Sequence, residues 1–330
     1  MTSALHQQVR RTIRRYGLIP PGSRVIIGLS GGSDSVALAL LLRDLSAHGD
    51  FAVASLAHLN HRLRETAARD EAFCREFARR HDLPIAVEAQ DVNALAAQER
   101  LSLEEAARRA RYEFLERVAQ GMDGARIAVG HTEDDQAETF LMKLMRGAGL
   151  AGLAGVYPRK GMIVRPLLEV SRADLRSFLV QMGEPWVEDE TNADLGNPRN
   201  RIRHSVLPEL DRALGGGSRP NLARAAALAR EDSEWLDQLA DEQFVQVAAE
   251  TAAGLELDAR ELRKQPLPVA RRIALRALRG VAGGREVGQD HVEAMLALIA
   301  GKSGGIDVPG GRVEPKAGKL VLIQQKAVSK

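Results

Sequence analysis

The sequence predicts an α/β protein: a doubly wound parallel sheet with a second, mainly helical domain that ends in a small β meander. Three observations carry this. Across the N-terminal two-thirds, short β-branched apolar runs alternate with longer segments of helical periodicity, the pattern of a parallel sheet covered on both faces. Three consecutive glycines at 215–217 are followed by an Ala-rich helical stretch. The last segment, 304–325, alternates Gly and Pro turns with short apolar runs. A length of 330 residues agrees with about two domains at roughly 150 residues each. The boundary is placed at the glycine run, giving domains 1–215 and 216–330.

The elements follow in order. The Arg-rich N-terminus reads as a short amphipathic helix, because it lacks the apolar core of a secretory signal. Residues 24–29 form a buried strand, broken by the glycines of 30–35, and 36–45 continue as an apolar helix. A strand over 52–59 leads to a helix over 66–81, where Ala72, Phe73 and Phe77 recur at helical spacing. A brief strand at 85–87, a helix at 103–119, a strand at 126–129 and a helix at 132–146 complete the alternation. After a Gly-rich passage, 163–167 is read as a fifth strand, and Ser171 to Asp174 as a capping box opening a helix to Met182. Residues 183–200 are irregular, 221–250 are helical, two more helices follow, and the meander closes the chain. In such a sheet a ligand sits outside the carboxyl ends of the strands, near a topological switch.

Composition excludes several classes. With 45% hydrophobic and 27% charged residues the chain can pack a core. One cysteine, Cys74, excludes an intrachain disulfide framework and a cysteine-built zinc or iron–sulfur cage, and it fits a reducing compartment. No apolar run approaches the ~18–20 residues of a membrane span, so a cytoplasmic protein with no membrane partner is expected. Net charge is only +2, yet eight of the 46 basic residues are lysine and 38 are arginine. Arginine suits phosphate and bases, but codon bias produces the same excess.

Ser30-Gly31-Gly32-Ser33-Asp34-Ser35 stands between a strand and a helix. Its glycines permit positive φ and close approach of a ligand, and its N–H groups can hold phosphate oxygens at the positive end of the helix. Asp34 makes sense beside phosphate if Mg²⁺ bridges the two. No Gly-Lys-Ser/Thr follows, so this is not a Walker A loop. The competing reading is an ordinary glycine turn with a Ser/Asp cap. In His131-Thr-Glu-Asp-Asp135-Gln-Ala-Glu138-Thr139, Asp135 and Glu138 are three apart and share a helical face at the same sheet edge. They can bind Mg²⁺ or an ammonium group; equally, acids in a first turn favour the helix dipole with Thr132 as N-cap.

The SGGSDS loop resembles the PP-loop of the ATP pyrophosphatases. The chain from Arg24 to about Leu210 further resembles the tRNA(Ile)-lysidine synthetase family in seven blocks, in order. They are Ala57 to His61, Glu104 to Tyr112, the 131–139 string, Leu144 to Leu150, Arg165 to Leu168, Pro185 to Asn192, and Asn197 to Arg203. The remainder is similar to the family's first C-terminal domain, and the further domain of longer members is not expected.

The resemblance implies a PP-loop catalytic domain over 1–215 and a helical tRNA-binding domain over 216–330. It implies ATP and Mg²⁺, free L-lysine, and an isoleucine tRNA with a CAU anticodon. The wobble cytidine is adenylated at its C2 carbonyl oxygen, and lysine displaces AMP to form lysidine. Ser30, Gly31, Gly32, Ser33, Asp34, Ser35 and His58 are then assigned to the nucleotide, Asp34 also to the metal. Asp135 and Glu138 hold lysine and can accept its proton. Arg108 and Arg111 face the α-phosphate or the lysine carboxylate, or pair with Glu104 and Glu105 at the surface. Arg199, Asn200, Arg201 and Arg203 are assigned to the tRNA backbone, against the rival of a solvated helix face. His58 and His61 pack on the nucleotide or serve as core or capping residues. Trp186 is expected as a buried aromatic, Cys74 as a core filler, and a homodimer is possible. The alternatives are a cytidine thiolase, which one cysteine disfavours, an NAD or GMP synthetase, and a non-catalytic nucleotide sensor.

Overall fold

The computed structural model describes residues 3–63, 66–188, 194–251, 254–300 and 304–325. The chain divides into two compact units, Met1–Arg230 and Glu231–Lys330. The division falls inside the helix Ser218–Val247, which the glycines of 215–217, all at positive φ, lead into.

The first unit contains, in order, α1 (Ala4–Arg15), β1 (Arg24–Gly28), α2 (Ser33–Ser46), β2 (Ala52–Asn60), α3 (Ala67–Arg80), β3 (Ile85–Ala89), α4 (Val92–Glu99), α5 (Leu103–Ala119), β4 (Arg126–Ala128), α6 (Glu133–Leu144), α7 (Leu150–Leu153), β5 (Arg159–Lys160), β6 (Ile163–Val164), α8 (Arg172–Met182), α9 (Pro198–Arg201), α10 (Leu207–Leu214) and the start of α11 (Ser218–Val247). The sheet order is β3-β2-β1-β4-β6-β5. All neighbours run parallel except β5, which pairs antiparallel with β6.

Period-two alternation along the strands builds two cores. Val25, Ile27, Leu56 and Ala128 face the layer that contains α1, α2, α3 and α8. Ile26, Ala57, Leu59, Ile127 and Val129 face α4 and α5. Helix α2 lies between the sheet and the outer helices α1 and α8, which explains its unbroken apolar run: Val36 to Leu42 are all buried. Each of its leucines contributes about 1.5–3 kcal/mol over an exposed position. The chain leaves β1 toward β2 on one side and later places β4 on the other. The topological switch therefore lies between β1 and β4.

Three expectations change. The fifth strand shrinks to Ile163–Val164, because Pro166 has no N–H to continue a ladder. Helices α4 and α7 were not read from the sequence. In the second unit the helical stretch stops at Val247, and two strands follow that the sequence did not suggest.

That unit holds the end of α11, then β7 (Ala248–Thr251), β8 (Gly254–Asp258), α12 (Ala259–Lys264), α13 (Leu267–Val281), α14 (Gln289–Ile299), β9 (Ile306–Val308), β10 (Gly311–Lys316) and β11 (Lys319–Gln324). The expected meander is β9 to β11; β7 and β8 extend it to an antiparallel sheet of order β7-β8-β11-β10-β9 among the described residues. Gly254 is obligatory there, since a Cβ would stand 2.3 Å from the Leu322 carbonyl oxygen. Ile273, Ala277 and Leu278 of α13 and Met295 of α14 pack with Leu257, Val313 and Leu322 of the sheet.

Candidate active site

The loop 30–35 leaves the end of β1 and becomes the first turn of α2. Gly31 takes φ 88°, a conformation that favours glycine, and it packs closely beside Phe73, Cys74 and Val187. The serines divide their work. Ser35 Oγ donates to the Gly32 carbonyl at 3.0 Å and accepts the Ser30 N–H at 3.1 Å, so it braces the loop from within. Ser33 Oγ donates to Asp34 Oδ1 at 3.0 Å. The Ser33 and Asp34 amides that open α2 form the anion-ready end of the helix, while the Ser35 amide already donates to the Gly32 carbonyl at 3.1 Å. A strap crosses the loop: the Val187 N–H donates to the Gly31 carbonyl at 2.9 Å. The buried Glu184 ties the strap to α3 through Arg80 at 2.6 Å and His81 at 2.9 Å. Trp186 packs against the core, and its indole N–H donates to Glu188. Residues 189–193, which include the end of the block from Pro185 to Asn192, lie outside the described residues.

Gly130 at the end of β4 brings the second motif against this loop. A Cβ there would lie 3.2 Å from the Asp34 carbonyl and the Ser35 nitrogen. Thr132 then caps α6. Its N–H donates to Asp135 Oδ2 at 2.8 Å and its hydroxyl accepts the Asp135 N–H at 3.4 Å. The capping reading of these acids holds, and the cap uses only part of the Asp135 carboxylate. One Asp135 oxygen serves the cap, and Oδ1 accepts from Arg199 at 3.0 Å and Arg172 at 3.4 Å. Glu138 is fully buried and accepts Arg199 Nε and Arg203 Nε, each at 2.6 Å.

Arg172, the first residue of α8, joins the two motifs. Its Nε donates to Asp34 Oδ2 at 3.0 Å, its Nη2 reaches Asp135, and its Nη1 lies 3.7 Å from Glu138. Its backbone N–H donates to Asp134 Oδ2 at 2.8 Å, and Asp134 also pairs with Arg219 at 3.1 Å. The cluster thus sets Asp34, Asp135 and Glu138 against Arg172, Arg199 and Arg203. The two aspartates respond oppositely. Burial pushes the Asp34 carboxyl above its ordinary range, more than Arg172 pulls it down. Burial also works against the Asp135 carboxylate, but Arg199 and Arg172 together hold it below the usual range. Arg172 gains basicity from its three acidic neighbours, which outweigh its own burial.

The motifs line one open cavity of about 1090 Å³, which also receives His58, Asp70, Arg111, His131 and His204. That is room for a mononucleotide and part of a second substrate. A PP-loop domain family matches residues 1–210. The chain is 38% identical over 331 residues to a tRNA(Ile)-lysidine synthase of Salinispora tropica, a match covering 97% of this chain and 96% of that protein. This chain belongs to the tRNA(Ile)-lysidine synthase family. A longer relative from Geobacter sulfurreducens, also a tRNA(Ile)-lysidine synthase, is 39% identical over 318 residues, covering 94% of this chain and 65% of that protein. The chain thus spans about two-thirds of the length of several relatives it matches. Among solved structures, the U34-tRNA thiolase NcsA of Methanococcus maripaludis superposes with a TM-score of 0.56 at 17% identity, covering 69% of this chain and 78% of that one. At that identity the likeness concerns the fold alone.

In this lysidine synthase family member, the basic block 199–203 divides. Arg199 and Arg203, four apart, point to the acids of α6. Asn200 is buried and donates to the Asp194 carbonyl at 2.9 Å. Arg201 faces outward and donates to the carbonyls of Leu195 and Gly196, each at 3.0 Å. Arg111 lines the cavity, whereas Arg108 lays its guanidinium 5.1 Å from the Tyr112 ring centre. Glu104 lines the cavity as well, and Glu105 closes a capping box with Ser102. His131 accepts from Arg165 at 3.3 Å, and burial pushes its imidazole down to about 3, so it stays neutral at physiological pH. Cys74 is buried behind the loop, and burial pushes its thiol up to about 12. Arg172 and Gly130 were missed from the sequence. The usable signal for Gly130 was its place directly after a strand; Arg172 offered only a cap position.

Proposed function

We propose that this chain joins free L-lysine to C2 of the wobble cytidine in an isoleucine tRNA with a CAU anticodon. ATP is consumed through an adenylated tRNA, and decoding changes from AUG to AUA in the cytoplasm. The observation that carries this reading is the meeting of a phosphate loop and the Asp135 carboxylate at one cavity, with the buried Glu138 behind its arginines, in a chain spanning 96% of a protein named tRNA(Ile)-lysidine synthase.

The loop amides at the start of α2 hold the polyphosphate, with Ser35 keeping their geometry. The donors suit Mg²⁺ at Asp34: Mg²⁺ takes one or two carboxylates and fills its other positions with phosphate and water. There it would supply charge neutralisation for the departing pyrophosphate. Arg111 and Arg172 add fixed positive charge in the cavity, which a pyrophosphate-forming step requires. Asp135 and Glu138 receive the lysine ammonium. Their present partners are arginines, so lysine enters by exchange of one cation for another, and no buried carboxylate is left unanswered. Asp135 is a weak base because its carboxylate is held low, so it suits holding the ammonium better than taking its proton. The exposed Arg201 and the domain over 216–330 engage the tRNA backbone.

The test incubates the protein with ATP, labelled lysine and a CAU-anticodon isoleucine tRNA. Label on the tRNA is expected, and its absence overturns the reading. The thiolase alternative fares worse on the residues: the single cysteine is buried, with its thiol pushed up to about 12, far from the thiolate that such chemistry uses.

A further inference from the structure

His58 lies on β2, which pairs with β1, and its ring is turned toward the residue that follows β1 and leads into the phosphate loop. Its Nδ1 stands 2.9 Å from the Leu29 carbonyl oxygen. A carbonyl only accepts, so Nδ1 carries the ring proton and Nε2 is left with a bare lone pair. The side chain is 5% exposed and lines the cavity. Nε2 is buried and has no hydrogen-bond partner among the described residues. Leaving a buried acceptor unsatisfied is costly, and a neutral imidazole with a fixed tautomer is a directional acceptor. Burial also disfavours the imidazolium, which keeps that lone pair available.

We infer that His58 Nε2 accepts a hydrogen bond from a donor on the nucleoside of the bound nucleotide, and so takes part in selecting it. The inference rests on the reading that this cavity binds ATP. Two donors share the chemistry, the 6-amino group of adenine and a ribose hydroxyl. The phosphates cannot serve, since they offer no donor at neutral pH. The ring's orientation is set by Leu29, and the second nitrogen is left unanswered among the described residues in a side chain that lines the cavity.

The experiment measures equilibrium binding of ATP, purine riboside triphosphate, 2′-deoxy-ATP and 3′-deoxy-ATP to the full chain, wild type and His58→Phe. Purine riboside triphosphate lacks the amino group; the two deoxy compounds each lack one hydroxyl. The wild type is expected to lose about tenfold in affinity for one of the three. His58→Phe is expected to bind ATP and that analogue within about twofold of each other. Equal wild-type affinity for all four nucleotides overturns the inference, as does a variant that keeps the wild-type discrimination. Ring-nitrogen NMR of the wild type covers the case of a variant that does not fold. The Nε2 signal of His58 is expected to move with ATP and to stay with the discriminating analogue, and a signal unmoved by ATP overturns the inference. Failure of the wild type to bind ATP at all removes the nucleotide reading itself, a separate and distinguishable result.

Discussion

The phosphate loop and the acid–arginine cluster share one cavity wall, yet they are held by different means. The loop is braced locally: Ser35 bonds to Ser30 and Gly32, and Ser33 to Asp34, all within six residues. The cluster is assembled from four segments remote in sequence, with Arg172 lying 138 residues from Asp34 and Arg199 lying 64 from Asp135. The difference separates two kinds of pre-organisation. A loop braced within itself depends less on remote partners. A cluster of buried charges keeps its shape only while every partner is present, because desolvated charges do not tolerate a missing partner.

The largest effect expected is therefore in the cluster. Glu138→Gln leaves Arg199 and Arg203 facing a neutral amide in a buried site. A loss of about 3–5 kcal/mol in chemical denaturation is expected, together with loss of lysidine formation. A stable and active variant would show that the arginines are not held by this acid. The cluster also sets a pH signature. Asp135, whose folded-state pKa is depressed from 3.8, contributes stability that is complete above that value and lost as pH falls through the lower folded-state value. Asp135→Asn should abolish that acid-side loss, as followed by denaturation across acidic pH.

Next comes the contact between the two regions. Gly130→Ala places a methyl 3.2 Å from the Asp34 carbonyl, so the loop must yield by a few tenths of an ångström. Overpacking of this kind costs about 1–3 kcal/mol. ATP-dependent adenylation should fall far more than stability, and equal activity in the variant would break the claim that the two motifs are tightly abutted.

Asp34 sharpens the comparison from the other side. Its folded-state carboxyl is raised, so its ionised form opposes folding at neutral pH, and protonation favours the fold as pH drops through the raised value. Arg172 keeps Asp135 and Glu138 when Asp34 is neutralised. Asp34→Asn is thus expected to hold or raise stability, by up to about 1 kcal/mol, while adenylation is lost. A clear destabilisation would place Asp34 among the structural acids. The smallest effect belongs to Arg201→Ala: stability within about 0.5 kcal/mol of wild type, with weaker tRNA binding and a flatter salt dependence. An unchanged salt slope would move the tRNA elsewhere.

Most of the fold was legible because it is written in short-range pattern. The strands 24–28 and 52–60 are β-branched or apolar runs between turn residues, and the helices 103–119 and 172–182 open on Ser caps. The strands at 248–251 and 254–258 were not legible, since their apolar content is low and the strand that joins their hairpin to the meander lies some sixty residues later. The basic block 199–203 was legible as basic but not as divided. Only the position of α6 turns Arg199 and Arg203 inward and leaves Arg201 outside.

By itself the sequence determined the glycine-permitted loop, the capped helix that sets Asp135 and Glu138 on one face, and the single cysteine that disfavours thiolate chemistry. Those are consequences of φ preferences, helical spacing and composition, all local or countable. The tertiary structure alone decided which cations answer the buried acids, that Gly130 must be bare, and that one nitrogen of His58 is left unpartnered among the described residues. Each of these depends on distance and desolvation between residues far apart in the chain, and neither quantity exists until the sheet has brought β1 and β4 together.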